Sequence, residues 1–260
     1  MIRKPIEPQW DTIPIQFHPL LQDAAVYDSS CSAAAQVWYL DKGPGYYLKR
    51  SPAGSLRKEV DMTRFFHEKG LGPRVLEYVQ LEQDWMLTER VPGEDCINAM
   101  YLADPVRLCD TTAQLLRMLH ETDGSGCPVH RTADYLSTAR KNYEAKAYDL
   151  ALFPDNWGYA TPEEAWQEIE RNGNCLQSDT LLHGDYCLPN IMLDNWQFSG
   201  FIDLDAGGLG DRHIDLFWGI WSLQFNLKTD RYRERFLDAY GREQVCEDVF
   251  RTVAACEVFA

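Results

Sequence analysis

Near residue 91 the hydrophobic period of the chain changes, and no feature restricts the fold more. Before it, short apolar runs are separated by turns: Ala24–Asp28, Gln36–Leu40, Tyr46–Arg50, Arg74–Val79 and Trp85–Arg90 read as five strands. Lys42-Gly43-Pro44-Gly45 and Glu82-Gln83-Asp84 mark turns between them. One interval differs. From Leu56 to about Lys69 the apolar positions fall at Leu56, Val60, Thr63 and Phe66, behind a candidate Ser55 cap and ahead of Gly70, which predicts a helix. Val91-Pro92-Gly93-Glu94 then breaks the pattern, and beyond it the spacing is helical. Asp104-Pro105 opens a helix running to Leu119, Thr161-Pro162-Glu163-Glu164 a second, and Asp230–Tyr240, closed by Gly241, is a third. The expectation is an α+β chain with a β-rich part over residues 1–90 and a larger helical part over residues 91–260.

The 260 residues are 45% apolar, enough to bury a core, and no run of about 18 uncharged apolar residues occurs that would span a membrane. The start, Met1-Ile2-Arg3-Lys4-Pro5, lacks the apolar core of a signal peptide, so a soluble cytoplasmic protein is expected. Net charge is −15, which argues against nucleic acid or an anionic membrane as partner. The charge is uneven. Residues 1–90 carry 11 basic and 12 acidic side chains (net −1), leaving 14 basic and 28 acidic (net −14) for residues 91–260. Solubility accounts for such an excess, and so does an acidic cleft that gathers a cationic ligand. The eight cysteines show no metal-binding spacing and are expected to be reduced, mostly buried thiols.

Between Leu181 and Leu204 short apolar pairs alternate with His, Gly, Asp and Asn, inside a part that is otherwise helical. Asp185, Asn190 five residues on, and Asp203 thirteen beyond that supply an acid, an amide and a second acid. Each alone is an ordinary turn residue. Together they are the equipment for phosphoryl transfer: Asp185 to accept the proton of a substrate hydroxyl, Asn190 and Asp203 to offer the hard oxygen ligands that magnesium prefers. Lys49 on the third predicted strand and Glu59 on the following helix would form the ion pair that meets the nucleotide phosphates. The small-residue turn Ser29–Ala35, with Ser32, sits where a phosphate-covering loop is needed, although it has no G-x-G-x-x-G. No P-loop motif exists anywhere in the chain.

His183-Gly184-Asp185-Tyr186-Cys187-Leu188-Pro189-Asn190-Ile191 and Ser199-Gly200-Phe201-Ile202-Asp203-Leu204 resemble the aminoglycoside phosphotransferases, above all the 3′-phosphotransferase (kanamycin kinase) group. Supporting pieces are Tyr46–Lys49, Trp85–Glu89, Leu119–Pro128, Asp155–Trp157 and the ending Glu257–Ala260. The resemblance implies a protein-kinase-like two-lobed fold, with Asp185 as catalytic base, Asn190 and Asp203 holding Mg2+, and Lys49 and Glu59 as the phosphate-side ion pair. It implies that Thr88 to Arg90 form the hinge meeting the base of ATP, or of GTP, and that the acceptor is a small, polycationic molecule handled by a monomer or weak dimer that confers antibiotic resistance. Only 11 residues separate Asp203 from Asp215, too few to bed a peptide acceptor; Asp215 is expected to cap a helix over Leu216–Leu223 or to hydrogen-bond the catalytic loop. Asp155, Glu257 and Phe259 would line the acceptor pocket. Departures are Gly158 and Ala206, where an acid and an arginine are common, and the stripe Trp218, Trp221 and Phe225, which is either core packing or a pocket wall. Alternatives are a kinase for a choline-like compound or a macrolide, and a nucleotide-binding regulator without transfer activity.

Overall fold

The computed structural model describes residues 3–31, 35–148 and 158–260. In chain order these form β1 (Lys4–Pro5), α1 (His18–Leu21), β2 (Ala25–Asp28), β3 (Gln36–Asp41), β4 (Tyr46–Pro52), α2 (Arg57–Glu68), β5 (Val75–Gln80), β6 (Gln83–Glu89) and β7 (Glu94–Asp95). Then come α3 (Ala99–Leu102), α4 (Pro105–His120), α5 (Thr132–Ala145), α6 (Pro162–Asn172), β8 (Thr180–Leu182), β9 (Ile191–Asp194) and β10 (Gln197–Phe201). β11 (Gly208–Gly210), α7 (His213–Leu227), α8 (Arg233–Tyr240) and α9 (Glu247–Glu257) complete the chain.

The chain divides into two compact units, Met1–Asp95 with Met192–Asp205, and Cys96–Ile191 with Ala206–Ala260. A boundary at residue 91 assigns 192–205 to the helical part, whereas its contacts place it in the first unit. There Phe201 N–H donates to Leu71 O at 2.7 Å, Phe201 packs edge-on to Phe66, and a Cβ at Gly200 would press on Val91 at 3.1 Å.

In the first unit a six-stranded sheet runs in the order β1-β2-β3-β4-β6-β5, with neighbouring strands antiparallel. Period-two alternation sorts its faces. Trp38, Leu40, Leu48, Trp85 and Leu87 pack with Phe17 on one side, and Met86 meets Leu56 and Val60 of the helix region on the other. Lys49 is opposite Met86 in the β4–β6 register and therefore points to the helix side. α2 is not capped by Ser55, whose hydroxyl bonds Ser51 and Pro52 O instead. Its first turn is met by Asp84, a buried carboxylate from β6 that accepts Leu56 N–H at 3.0 Å and the Tyr78 hydroxyl at 3.0 Å.

In the second unit α4 packs on α7 and α8, and α6 on α9. Asp104 caps α4 by accepting Arg107 N–H at 3.2 Å, and Thr161 caps α6 by accepting Glu164 N–H at 3.2 Å, as the local patterns predict. The helix expected over Asp230–Tyr240 begins at Arg233, and that over Leu216–Leu223 extends to His213–Leu227. All eight cysteines are free, but only Cys96, Cys109, Cys127 and Cys256 are buried, because Cys31, Cys175 and Cys246 fall in solvent-facing connections. Among the described residues no helix is long and apolar enough to cross a membrane.

Candidate active site

In the first unit, strand alternation on β4 delivers Lys49 to the face covered by α2, and one helical turn pattern (Glu59, Met62, Phe66) turns Glu59 toward it. Lys49 Nζ lies 2.8 Å from Glu59 Oε1 and 3.0 Å from Asp203 Oδ1. Burial works against charge on Lys49, but the carboxylates of Glu59 and Asp203 outweigh it and hold the ammonium protonated beyond the ordinary lysine range. Burial pushes the Glu59 carboxyl up to about 7 against the pull of Lys49. Asp203 follows β10 in a left-handed conformation, φ 61°, and its side chain is 52% exposed. A non-glycine residue held there is strained locally and is kept in place by its surroundings. Lys49 takes one Asp203 oxygen, and Oδ2 has no protein partner among the described residues.

Thr88 is buried on β6 opposite Tyr47. Glu89 N–H donates to Arg74 O at 3.0 Å and Arg90 N–H to Gly45 O at 3.1 Å, so a base meeting this segment must use other backbone groups than these two amides. Ser32 lies outside the described residues. Beside it, Ser30 Oγ accepts Val37 N–H at 3.0 Å.

The second unit holds Asp185 and Asn190. Asp215, at the start of α7, is fully buried and accepts three N–H groups: His183 N at 2.8 Å, Gly184 N at 2.7 Å and His120 Nε2 at 3.2 Å. Of the two expected roles, the structure gives it the loop bond. Burial alone would raise the Asp215 carboxyl, but the bonds from His120 and Gly184 hold it below the usual carboxylate range, while burial lowers His120. With its proton on Nε2, His120 donates to Asp215 and its Nδ1 accepts from the Tyr240 hydroxyl at 2.8 Å. Gly184 has φ 85°, and a Cβ there would collide with the backbone carbonyl of Ala206, so this turn requires glycine. Further along, Tyr186 donates to Thr112 O at 2.7 Å, and Leu188 N–H donates to Ser222 Oγ at 2.9 Å. Asn190 Nδ2 donates to Asp185 O at 3.0 Å and to Asp185 Oδ2 at 2.8 Å, which leaves its Oδ1 without a protein partner among the described residues. Asp185 itself remains partly exposed amid buried neighbours.

The acceptor-side expectations fare differently. Asp155 lies outside the described residues. Phe259 is completely buried in a ring cluster with Tyr143, Tyr148 and Trp166, so it lines no surface of this unit. Glu257 is buried too, bonded by the Tyr135 hydroxyl at 2.7 Å and by the Trp218 indole N–H. Burial pushes its carboxyl up to about 7; Tyr135, Arg131 and Trp218 favour the ionised form, and the charge of Asp185 opposes it. Sequence reading passes over Arg131, whose guanidinium bonds the carbonyl of Ala206 and lies over the Tyr135 ring. It also passes over His120 and Ser222; these act through folded contacts 95 and 34 residues away, and no local pattern marks them.

Among the described residues no three His, Cys, Asp or Glu side chains gather to hold a metal. The hard oxygen donors that fit magnesium are Asp203 Oδ2 in the first unit and Asn190 Oδ1 in the second.

Known proteins share the sequence and fold of this chain. The family model for the phosphotransferase enzyme family (APH) matches residues 31–254. The chain belongs to that family. It is 47% identical to a Lactococcus lactis protein named a probable aminoglycoside 3′-phosphotransferase, over 96% of this chain and 95% of the relative. It is 29% identical to an aminoglycoside 3′-phosphotransferase of Niallia circulans, over 81% of this chain and 82% of the relative. Among solved structures it is similar to an aminoglycoside 3′-phosphotransferase of type VIII, with TM-score 0.71 and 26% identity over 90% of this chain and 91% of that one. A Streptomyces rimosus aminoglycoside phosphotransferase in complex with ADP and streptomycin shares the fold, with TM-score 0.71 at 24% identity over 94% of this chain and 98% of that one. These neighbours make the fold kinase-like, and the chain is a phosphotransferase acting on an alcohol group.

Proposed function

We propose that this chain is an ATP-dependent kinase that transfers the γ-phosphoryl group to a hydroxyl of an aminoglycoside antibiotic. The observation that carries the reading is Asp185: a partly open carboxylate on a loop whose His183 and Gly184 amides are bonded to buried Asp215 and whose Asn190 side chain is bonded to Asp185 itself. Asp185 accepts the hydroxyl proton as the acceptor oxygen bonds to the γ-phosphorus; the bond from that phosphorus to the bridging oxygen breaks, and the electron pair leaves with the nucleoside diphosphate. Lys49, kept charged and aimed by Glu59, neutralises the nucleotide phosphates. Asn190 and Asp203 are the residues that would hold magnesium, which when bound shields phosphate charge. The loop's contribution is orientation, worth up to ~7–11 kcal/mol in well-aligned systems. The acidic excess after residue 90 favours a polycationic acceptor.

Nucleotide consumption by the purified chain with magnesium and a panel of kanamycin, neomycin, choline and erythromycin tests this. Turnover with the aminoglycosides is expected. Turnover only with choline or erythromycin would leave the kinase chemistry and remove the acceptor assignment.

A further inference from the structure

α7 is buried on almost every side except one. His213 to Phe217, Gly219, Ile220, Ser222 and Leu223 are covered, whereas Trp218 and Trp221 are half-buried and Phe225 is 55% exposed. Spacings of three and four place these rings on one face. They form a continuous ladder: Trp218 meets Trp221 edge-on at 5.5 Å, and Trp221 stacks on Phe225 at 5.0 Å with 10° between the planes. The stacked pair ends in solvent at Phe225 rather than in the core.

The inner end of the ladder is tied to the chemistry. Trp218 donates to Glu257, whose carboxyl feels the charge of Asp185, and the same helix holds the Asp185 loop through Asp215 and Ser222. The rings are thus in fixed register with the proposed base. The outer end already receives a cation, for Lys228 Nζ lies 4.1 Å from the Phe225 ring centroid. Ring faces attract ammonium groups, and more strongly as water is removed.

From these contacts we infer that Trp218, Trp221 and Phe225 determine acceptor specificity, binding a protonated amino sugar by ring-face contact with its ammonium groups and C–H surfaces. This rests on the reading of Asp185 as the base of an acceptor kinase. The acid excess of residues 91–260 favours a cationic occupant over a neutral apolar ring.

The test uses the full chain, with kanamycin as probe in both titration calorimetry and steady-state turnover. Trp221→Leu and Phe225→Leu keep apolar bulk and remove the π face. Each is expected to weaken kanamycin binding and raise its KM about 10-fold, with kcat and nucleotide KM unchanged, and Trp221→Phe to recover most of the loss. Leucine variants within twofold of the parent, or a Trp221→Phe variant as weak as Trp221→Leu, would overturn the inference. So would a parent chain that binds erythromycin and not kanamycin. If kanamycin binds through the ladder without being phosphorylated, the kinase reading fails while the ladder stands.

Discussion

Asp215 and Gly184 are joined by a 2.7 Å hydrogen bond from the glycine amide to the buried carboxylate, and this bond sets the position of the residue that follows, Asp185. Asp215→Asn keeps the shape but opposes an amide N–H with another N–H, so one of the three donors loses its acceptor. A loss of about 2–4 kcal/mol is expected, read as a lowered urea midpoint. kcat should fall while nucleotide affinity stays within a few-fold. Because Asp215 is held below its ordinary range, its contribution is present above the unfolded carboxylate value and is lost in acid. His120, lowered by burial, makes stability fall as pH drops below about 6.5. A variant with unchanged midpoint and kcat would show that the loop is held by other contacts.

Lys49 and buried Glu59 form a largely covered pair, so removing Lys49 strands the Glu59 carboxylate. Lys49→Met should cost about 3–5 kcal/mol of stability, and Lys49→Met with Glu59→Leu should recover much of it, because an apolar pair can replace a buried ion pair. Neither protein should turn over nucleotide at more than ~1% of the parent rate. Thermal unfolding and nucleotide consumption of the two variants check this; a double variant that regains activity would remove Lys49 from the phosphate site.

Glu257, pushed up to about 7 by burial, keeps its proton in the fold when the unfolded chain has lost it. Between about pH 4.5 and 7 the native state binds more protons, so this group makes stability fall as pH rises through that window. Glu257→Gln should match the parent near pH 5 and exceed it at pH 8 by on the order of 2 kcal/mol. Urea midpoints at the two pH values decide it. Equal pH slopes for both proteins would mean that Glu257 is ionised throughout.

Legibility differed between these parts for physical reasons. The acid, amide and acid of residues 185–203 stand out because function packs them into a short stretch, and Lys49 stands out because period two forces its side chain to one face. Besides the one-turn helices α1 and α3, two longer helices were not visible. Thr132–Ala145 is largely polar and buries only Thr132, Tyr135 and Ala139, so it carries little periodic signal. Glu247–Glu257 has apolar spacing, but its end reads equally as a tail motif. Asp84 looks like a turn residue locally and is a buried helix-terminus acceptor across 28 residues. Arg131, beside Ala206, is of the same kind: a contact created by the fold alone.

The central claim is that Asp185 takes the acceptor's proton. Asp185→Asn retains an oxygen to accept the Asn190 amide and removes the basic carboxylate. Single-turnover phosphorylation of kanamycin, measured alongside nucleotide affinity, should show the rate reduced ~10²–10⁴-fold with affinity nearly unchanged. A rate within a few-fold of the parent would contradict the account.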